Sequence, residues 1–169
     1  MPASKQRDYD VEEVRKIVDA DYKLVSGAMS GAWTDKNDPD EYYRNAHAEL
    51  YYEELRRSKP EYIVKKLSEH SGISVKSAQK VFEHVFINEY ELDEGLQRFD
   101  PSYDMAQSFQ RLLEGKDIQE HDIILVYHER LEYELMNRYG KNARTAHAMT
   151  CRKYNYQTAL EKWKQKKGY

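Results

Sequence analysis

Apolar residues recur every three to four positions along most of the chain, and no long stretch alternates in the manner of a half-buried strand. This pattern predicts an all-α protein of about seven helices. The first predicted helix runs from about Asp10 to Ala28, with Val11, Val14, Val18, Tyr22 and Val25 on one stripe. A second, from about Pro39 to Arg57, carries Ala48, Tyr51 and Leu55 at spacings of three and four. Pro60 suits the first turn of a third helix, which stops at Ser71 and Gly72, and Ser74 is placed to cap a fourth. The apolar face of the fourth is Val75, Ala78, Val81, Phe82 and Val85, so His84 is expected to point elsewhere. LDEGLQRFDPSYD reads as a turn-rich connector, followed by a short helix ended by Gly115. The next helix spans about Gln119 to Tyr139 and is closed by Gly140, and a last one is predicted as continuous from Asn142 to Lys164. Residues 1–59 are taken as an N-terminal helical extension and residues 60–169 as the main helical domain.

Within the run DIILVYHERLEYELM, Ile124, Leu131 and Leu135 lie four, three and seven residues from His128. His128 therefore belongs to the face that meets the core, with Glu132 one turn further on. A carboxylate and an imidazole on an apolar face carry a desolvation cost unless something pairs with them. A helix returning after Gly140 would bring His147 alongside, giving a His, Glu, His set that matches the ligand composition of hydrolytic zinc sites. The candidate ligands are thus His128, Glu132 and His147, for a divalent ion such as Zn, Mn or Mg, and Glu129 is the candidate general base. The order differs from the His-Glu-x-x-His motif, and the bland alternative is a hydrogen-bonded core network.

A second dense polar stretch lies upstream. Asp104, Ser108 and Arg111 share a helix face, so Arg111 could hold a phosphate or carboxylate with Asp104 orienting it; an ordinary Asp104–Arg111 pair within the helix is the competing reading. Cys151 stands four residues from His147, but nothing marks it as an activated thiolate, and it reads as a small buried hydrophobe. His47 and His70 read as surface histidines. IVKKLSEHSGISVKSAQKVF could form a DNA-binding helix-turn-helix; it offers few polar groups for a duplex, and helix packing around a tight turn explains it better.

Charge and composition narrow these options. With 27 Lys and Arg against 30 Asp and Glu, the net charge of -3 places no demand for nucleic acid on the chain as a whole. One cysteine excludes an internal disulfide and any Cys-rich zinc cluster. No segment approaches the roughly 20 apolar residues of a membrane span, and the polar opening MPASKQRDYD has no signal-peptide character, so a cytoplasmic setting is expected. The 15 tyrosines, several in pairs, suit amphipathic positions at the edge of a core.

The segments KVFEHVFINEY, RFDPSYDMAQSFQRLLEGKDIQEHDIILVYHERLEYELM and ARTAHAMTCRKYNY together resemble a toxin-like domain found at the C-termini of tailed-phage minor head proteins and bacterial polymorphic toxins. The resemblance spans roughly residues 60 to 160. It rests on His84, Val85, Phe86; Phe99, Asp100, Pro101; Arg111, Leu112; Asp122; His128, Glu129; Glu132; and Ala146, His147, in that order. It implies a toxin-like fold and suggests an enzyme; joined to the residue pattern, the expected reading is a toxin-like hydrolase with a polar cleft built from His84, Asp104, Arg111, Asp122, Glu129 and the three candidate ligands. Phosphodiester cleavage in nucleic acid is the first expectation for its chemistry, with an amide or glycan substrate as the alternatives. An immunity protein or a phage component is the expected partner, and delivery into a target cell's cytoplasm an expected route. The alternative is a non-enzymatic phage-associated or DNA-binding helical protein in which the cluster fastens helices together.

Overall fold

A computed structural model describes residues 41–168, so the helix predicted over Asp10–Ala28 lies outside the described residues. The described part is all-α, apart from one two-stranded hairpin. Its helices are α1 (Glu41–Arg57), α2 (Pro60–Ser71), α3 (Val75–Phe82), α4 (Tyr103–Glu114), α5 (Glu120–Asn137), α6 (Ala143–Cys151) and α7 (Tyr156–Lys167). A π turn, Glu83–Ile87, prolongs α3, and strands β1 (Tyr90–Leu92) and β2 (Gly95–Gln97) come after it.

Local chemistry sets most boundaries. Pro60 opens α2, and Gly72, at φ 81°, closes it in the left-handed region where a side chain would be strained. The side chains of Ser74, Ser102 and Asn142 accept backbone N–H groups at the starts of α3, α4 and α6. Gln119 and Asp122 form a reciprocal capping box at the start of α5.

The structure corrects the prediction in several places. The helix expected over 142–164 is broken between Cys151 and Tyr156. There the Tyr154 N–H bonds back to the Thr150 carbonyl, and the Asn155 side chain accepts the Thr158 N–H to start a new helix. An asparagine N-cap inside a periodic pattern ends one helix without disturbing the period, which is why periodicity alone missed it. The connector after residue 89 contains a hairpin, with Leu92 paired to Gly95 and Tyr90 to Gln97 across a two-residue turn. Val75, expected in the core, is largely exposed at the first turn of α3.

The core is a layer of aromatic and aliphatic side chains between α1, α2, α3, α4, α5 and α7. Phe86 lies at its centre, edge-on to Tyr52 (4.8 Å between ring centroids) and Phe109 (5.1 Å). Truncating such a ring to alanine costs about 3–5 kcal/mol. Because Tyr52 and Leu55 are buried in this layer, α1 shares the core with the helices after residue 60. Helix α5 packs against α3, α4, α6 and α7. A smaller cluster of Leu131, Leu135, Ala146 and Met149 joins α5 to α6 and so sets the approach of His147.

The π turn decides which side chains the polar interior receives from the end of α3. Its wider winding, closed by Asn88 N–H to Glu83 C=O at 2.7 Å, buries the consecutive residues His84, Val85 and Phe86. Phe86 enters the aromatic core while His84 is turned toward α5.

Candidate metal centre

Glu132 lies fully buried on α5 with three imidazoles around it. Its Oε1 is 3.0 Å from His84 Nε2. Its Oε2 is 3.1 Å from His128 Nε2, one helical turn back, and 3.3 Å from His147 Nδ1 on α6. Glu129 adds a second carboxylate, with Oε2 3.6 Å from His84 Nε2. His84, His128, Glu129 and Glu132 are each at most 2% exposed, whereas the His147 side chain is 21% exposed and Cys151 is half-buried. The centre therefore meets solvent along the His147 and Cys151 edge.

Each imidazole is also held by its outward nitrogen. His128 Nδ1–H donates to the Tyr154 carbonyl (2.7 Å), an acceptor only, which leaves Nε2 of the neutral ring with a lone pair aimed at Glu132. His84 Nδ1 bonds to the Tyr90 hydroxyl (2.8 Å), itself fixed by the side-chain amides of Asn88 and Asn137. His147 Nε2 meets Cys151 Sγ at 3.4 Å. Outward partners of this kind are characteristic of metal-ligating histidines, whose tautomer and ring angle they set.

A lone pair facing a carboxylate is repulsive, so the metal-free site must hold protons. Burial opposes charge on His128, but its bond to Glu132 outweighs burial and holds its pKa up at about 9. Burial likewise opposes charge on His147, and its contacts with Cys151 and Glu132 carry its pKa up to about 10. Burial would raise Glu132, yet hydrogen bonds from His128, His147 and His84 hold it well below the usual carboxylate range. Protons on His128 and His147 thus compensate the buried Glu132 carboxylate, and a divalent cation can take their place.

The spacing suits such an exchange. With metal–ligand bonds of about 2.0–2.1 Å, neighbouring donors in a tetrahedral shell stand roughly 3.3–3.4 Å apart, close to the separations found at Glu132 Oε2. The donor atoms of His128, His147 and Cys151 lie within 4.8 Å of one another, as do those of His84, Glu129 and Glu132.

The structure places the upstream residues apart from this centre. Asp122 precedes Glu132 by ten positions on α5, roughly 15 Å along the helix. Its buried carboxylate takes a bidentate pair from Arg111 (2.8 and 2.7 Å) and the Gln119 N–H (2.8 Å). Arg111 also donates to His121 Nε2 at 3.1 Å and lies 5.5 Å over the Trp163 ring. Asp104 pairs with Lys164 of α7 at 3.2 Å, so the Asp104–Arg111 pairing considered from the sequence is replaced by two pairs that reach other helices. The eight candidate residues divide between two assemblies: His84, His128, Glu129, Glu132 and His147 in one, Arg111, Asp122 and Asp104 in the other.

Other expectations are also corrected. The helical period alone turns His84 away from the apolar face, but it points into the centre because of the π turn, beside the candidate ligands with which the cleft expectation groups it, and Cys151 is a neighbour of His147 at a partly open edge. His70 is half-buried and bonds the Leu112 carbonyl, whereas His47 is exposed. In the helix-turn-helix segment, Ser77 is buried and accepts Arg130 Nε (2.9 Å), which turns that face of α3 inward. Sequence reasoning missed Tyr90, Asn137 and the Tyr154 carbonyl; the only signal for Tyr90 was the short alternation on either side of the Asp93–Glu94 turn. Among the described residues no helix is long and apolar enough to cross a membrane. No family model, curated protein or solved structure matches the chain.

Proposed function

We propose that this protein is a divalent-metal-dependent hydrolase of the toxin-like kind its sequence resembles, with phosphodiesters of nucleic acid as the first substrate class. The observation that carries the reading is the convergence of His128 Nε2 and His147 Nδ1 on one oxygen of Glu132, while the other nitrogen of each ring is held from outside. A cation bound there supplies Lewis-acid chemistry, polarising a substrate oxygen and acidifying water. Glu129 accepts the proton of the attacking water at its carboxylate, and burial keeps competing water from the reacting atoms. Substrate reaches the site along the His147 and Cys151 edge. Arg111, bound by Asp122 roughly three turns away along α5, braces the helices that carry the centre.

The experiment combines metal analysis of the purified chain with nuclease assays on wild type and Glu129→Gln. The expected result is bound metal in both proteins and turnover only in wild type. A second reading is favoured by the near-complete burial of four of the five residues: the cluster fastens α3, α5 and α6 without catalysis. Under that reading the folded protein binds no metal, and Glu129→Gln lowers stability with no loss of a biological effect, which would overturn the hydrolase.

A further inference from the structure

Glu132 presents two occupied sides. Its Oε2 faces His128 and His147, the ligands of the first ion, and its Oε1 faces His84, with Glu129 completing a second set of donors. An ion at His128, His147 and Glu132 gives His84 and Glu129 no metal-binding role, although they complete a second donor set with Glu132 in which two of three members are carboxylates and none is more than 1% exposed. Its imidazole is likewise held from outside, Nδ1 meeting the Tyr90 hydroxyl at 2.8 Å, and this places Nε2 3.0 Å from Glu132 and 3.6 Å from Glu129. A carboxylate that offers one oxygen to each of two ligand groups has the geometry to bridge two ions.

We propose that the site binds two divalent cations, the second held by His84, Glu129 and Glu132, with Glu132 bridging them. The proposal rests on the hydrolase reading of the first ion and extends it to the substrate class. Two divalent cations against the two carboxylates leave a buried excess of positive charge, which an anionic substrate and a hydroxide would neutralise. Paired ions about 3.5–4 Å apart are suited to in-line displacement at a phosphate ester, stabilising both the entering and the leaving oxygen. In that reaction the water oxygen forms a new P–O bond and the ester P–O bond breaks with its electron pair. One water proton ends on the leaving oxygen, and the other passes to solvent. With both ions bound, Glu129 would serve as a ligand, and the cations would acidify the attacking water in place of the base role it has with one ion.

The test is stoichiometry. The full chain is stripped by chelation, reloaded with Mn²⁺ or Zn²⁺ and assayed for bound metal by elemental analysis, with far-UV circular dichroism to verify folding. Wild type should bind two ions per chain, and Glu129→Gln and His84→Asn one each. Mn²⁺-loaded wild type should show the electron paramagnetic resonance of a spin-coupled pair, replaced in both variants by an isolated ion. Glu129→Gln is nearly isosteric and keeps the test decisive if His84→Asn fails to fold. One ion in wild type, unchanged in Glu129→Gln, overturns the second site and leaves the first standing. Two ions in every variant overturn this placement, and none in wild type overturns both readings.

Discussion

Asp122→Ala probes the separation of the two polar assemblies. The substitution removes both carboxylate oxygens from Arg111 and the N-terminal acceptor of α5 in one step. Breaking a buried ion pair by deleting one partner costs about 3–5 kcal/mol. Arg111 is 18% exposed and can recover part of its hydration, which brings this contribution to about 2 kcal/mol. Loss of the cap adds about 1 kcal/mol. The expected destabilisation is therefore about 3 kcal/mol, or a fall of roughly 10 °C in Tm for a chain of this size. Thermal and urea unfolding, followed by circular dichroism and by the fluorescence of Trp163 beneath Arg111, measure it. Metal content at the Glu132 centre should not change, because Asp122 lies some 15 Å away along the helix. A Tm within about 3 °C of wild type would refute the energetic argument. Loss of bound metal from a folded Asp122→Ala protein would refute the separation and return Arg111 and Asp122 to the active centre.

Tyr90→Phe removes the outward partner of His84 while keeping the ring, and should weaken metal binding about 10–100-fold in calorimetric titration with a smaller effect on the metal-free Tm. Gly115→Ala should destabilise the fold by more than about 1 kcal/mol, measured by urea unfolding, because Gly115 has φ 70° and an added Cβ would lie 2.7 Å from the His70 ring. Burial lowers the pKa of His121, assisted by the Arg111 charge and opposed by Asp122, so the folded protein keeps this ring neutral. The stability it contributes is present above the unfolded pKa of about 6.5 and is lost as pH falls through that value toward the folded pKa. Unfolding of wild type and His121→Gln between pH 5 and 8 should show this slope as their difference; parallel curves would remove His121 as its source.

Much of the fold is legible because it depends on neighbours in sequence. Pro60, Gly72, Ser74 and Gly115 act on backbone groups within a few residues, and each marks the boundary predicted for it. The failures share a cause. Asn155 breaks the last helix without altering the apolar period, and the π turn changes the winding of α3 by closing one longer hydrogen-bonded ring, so a fixed period directed His84 away from the apolar face.

The candidate centre divides along the same line. Sequence alone determined that His128 and Glu132 share a helix face, since a spacing of four residues fixes that geometry wherever the helix packs. It also identified His147 as the residue a returning helix would bring near. Only the tertiary structure decided that His84 reaches the other oxygen of Glu132, that a hairpin tyrosine and the Tyr154 carbonyl hold the rings, and that Arg111 belongs to Asp122 in a separate brace. Those contacts join residues 6 to 48 positions apart in the chain. They are set by which faces of α3, α5 and α6 bury together, because a buried carboxylate takes whichever donors the packing delivers to it.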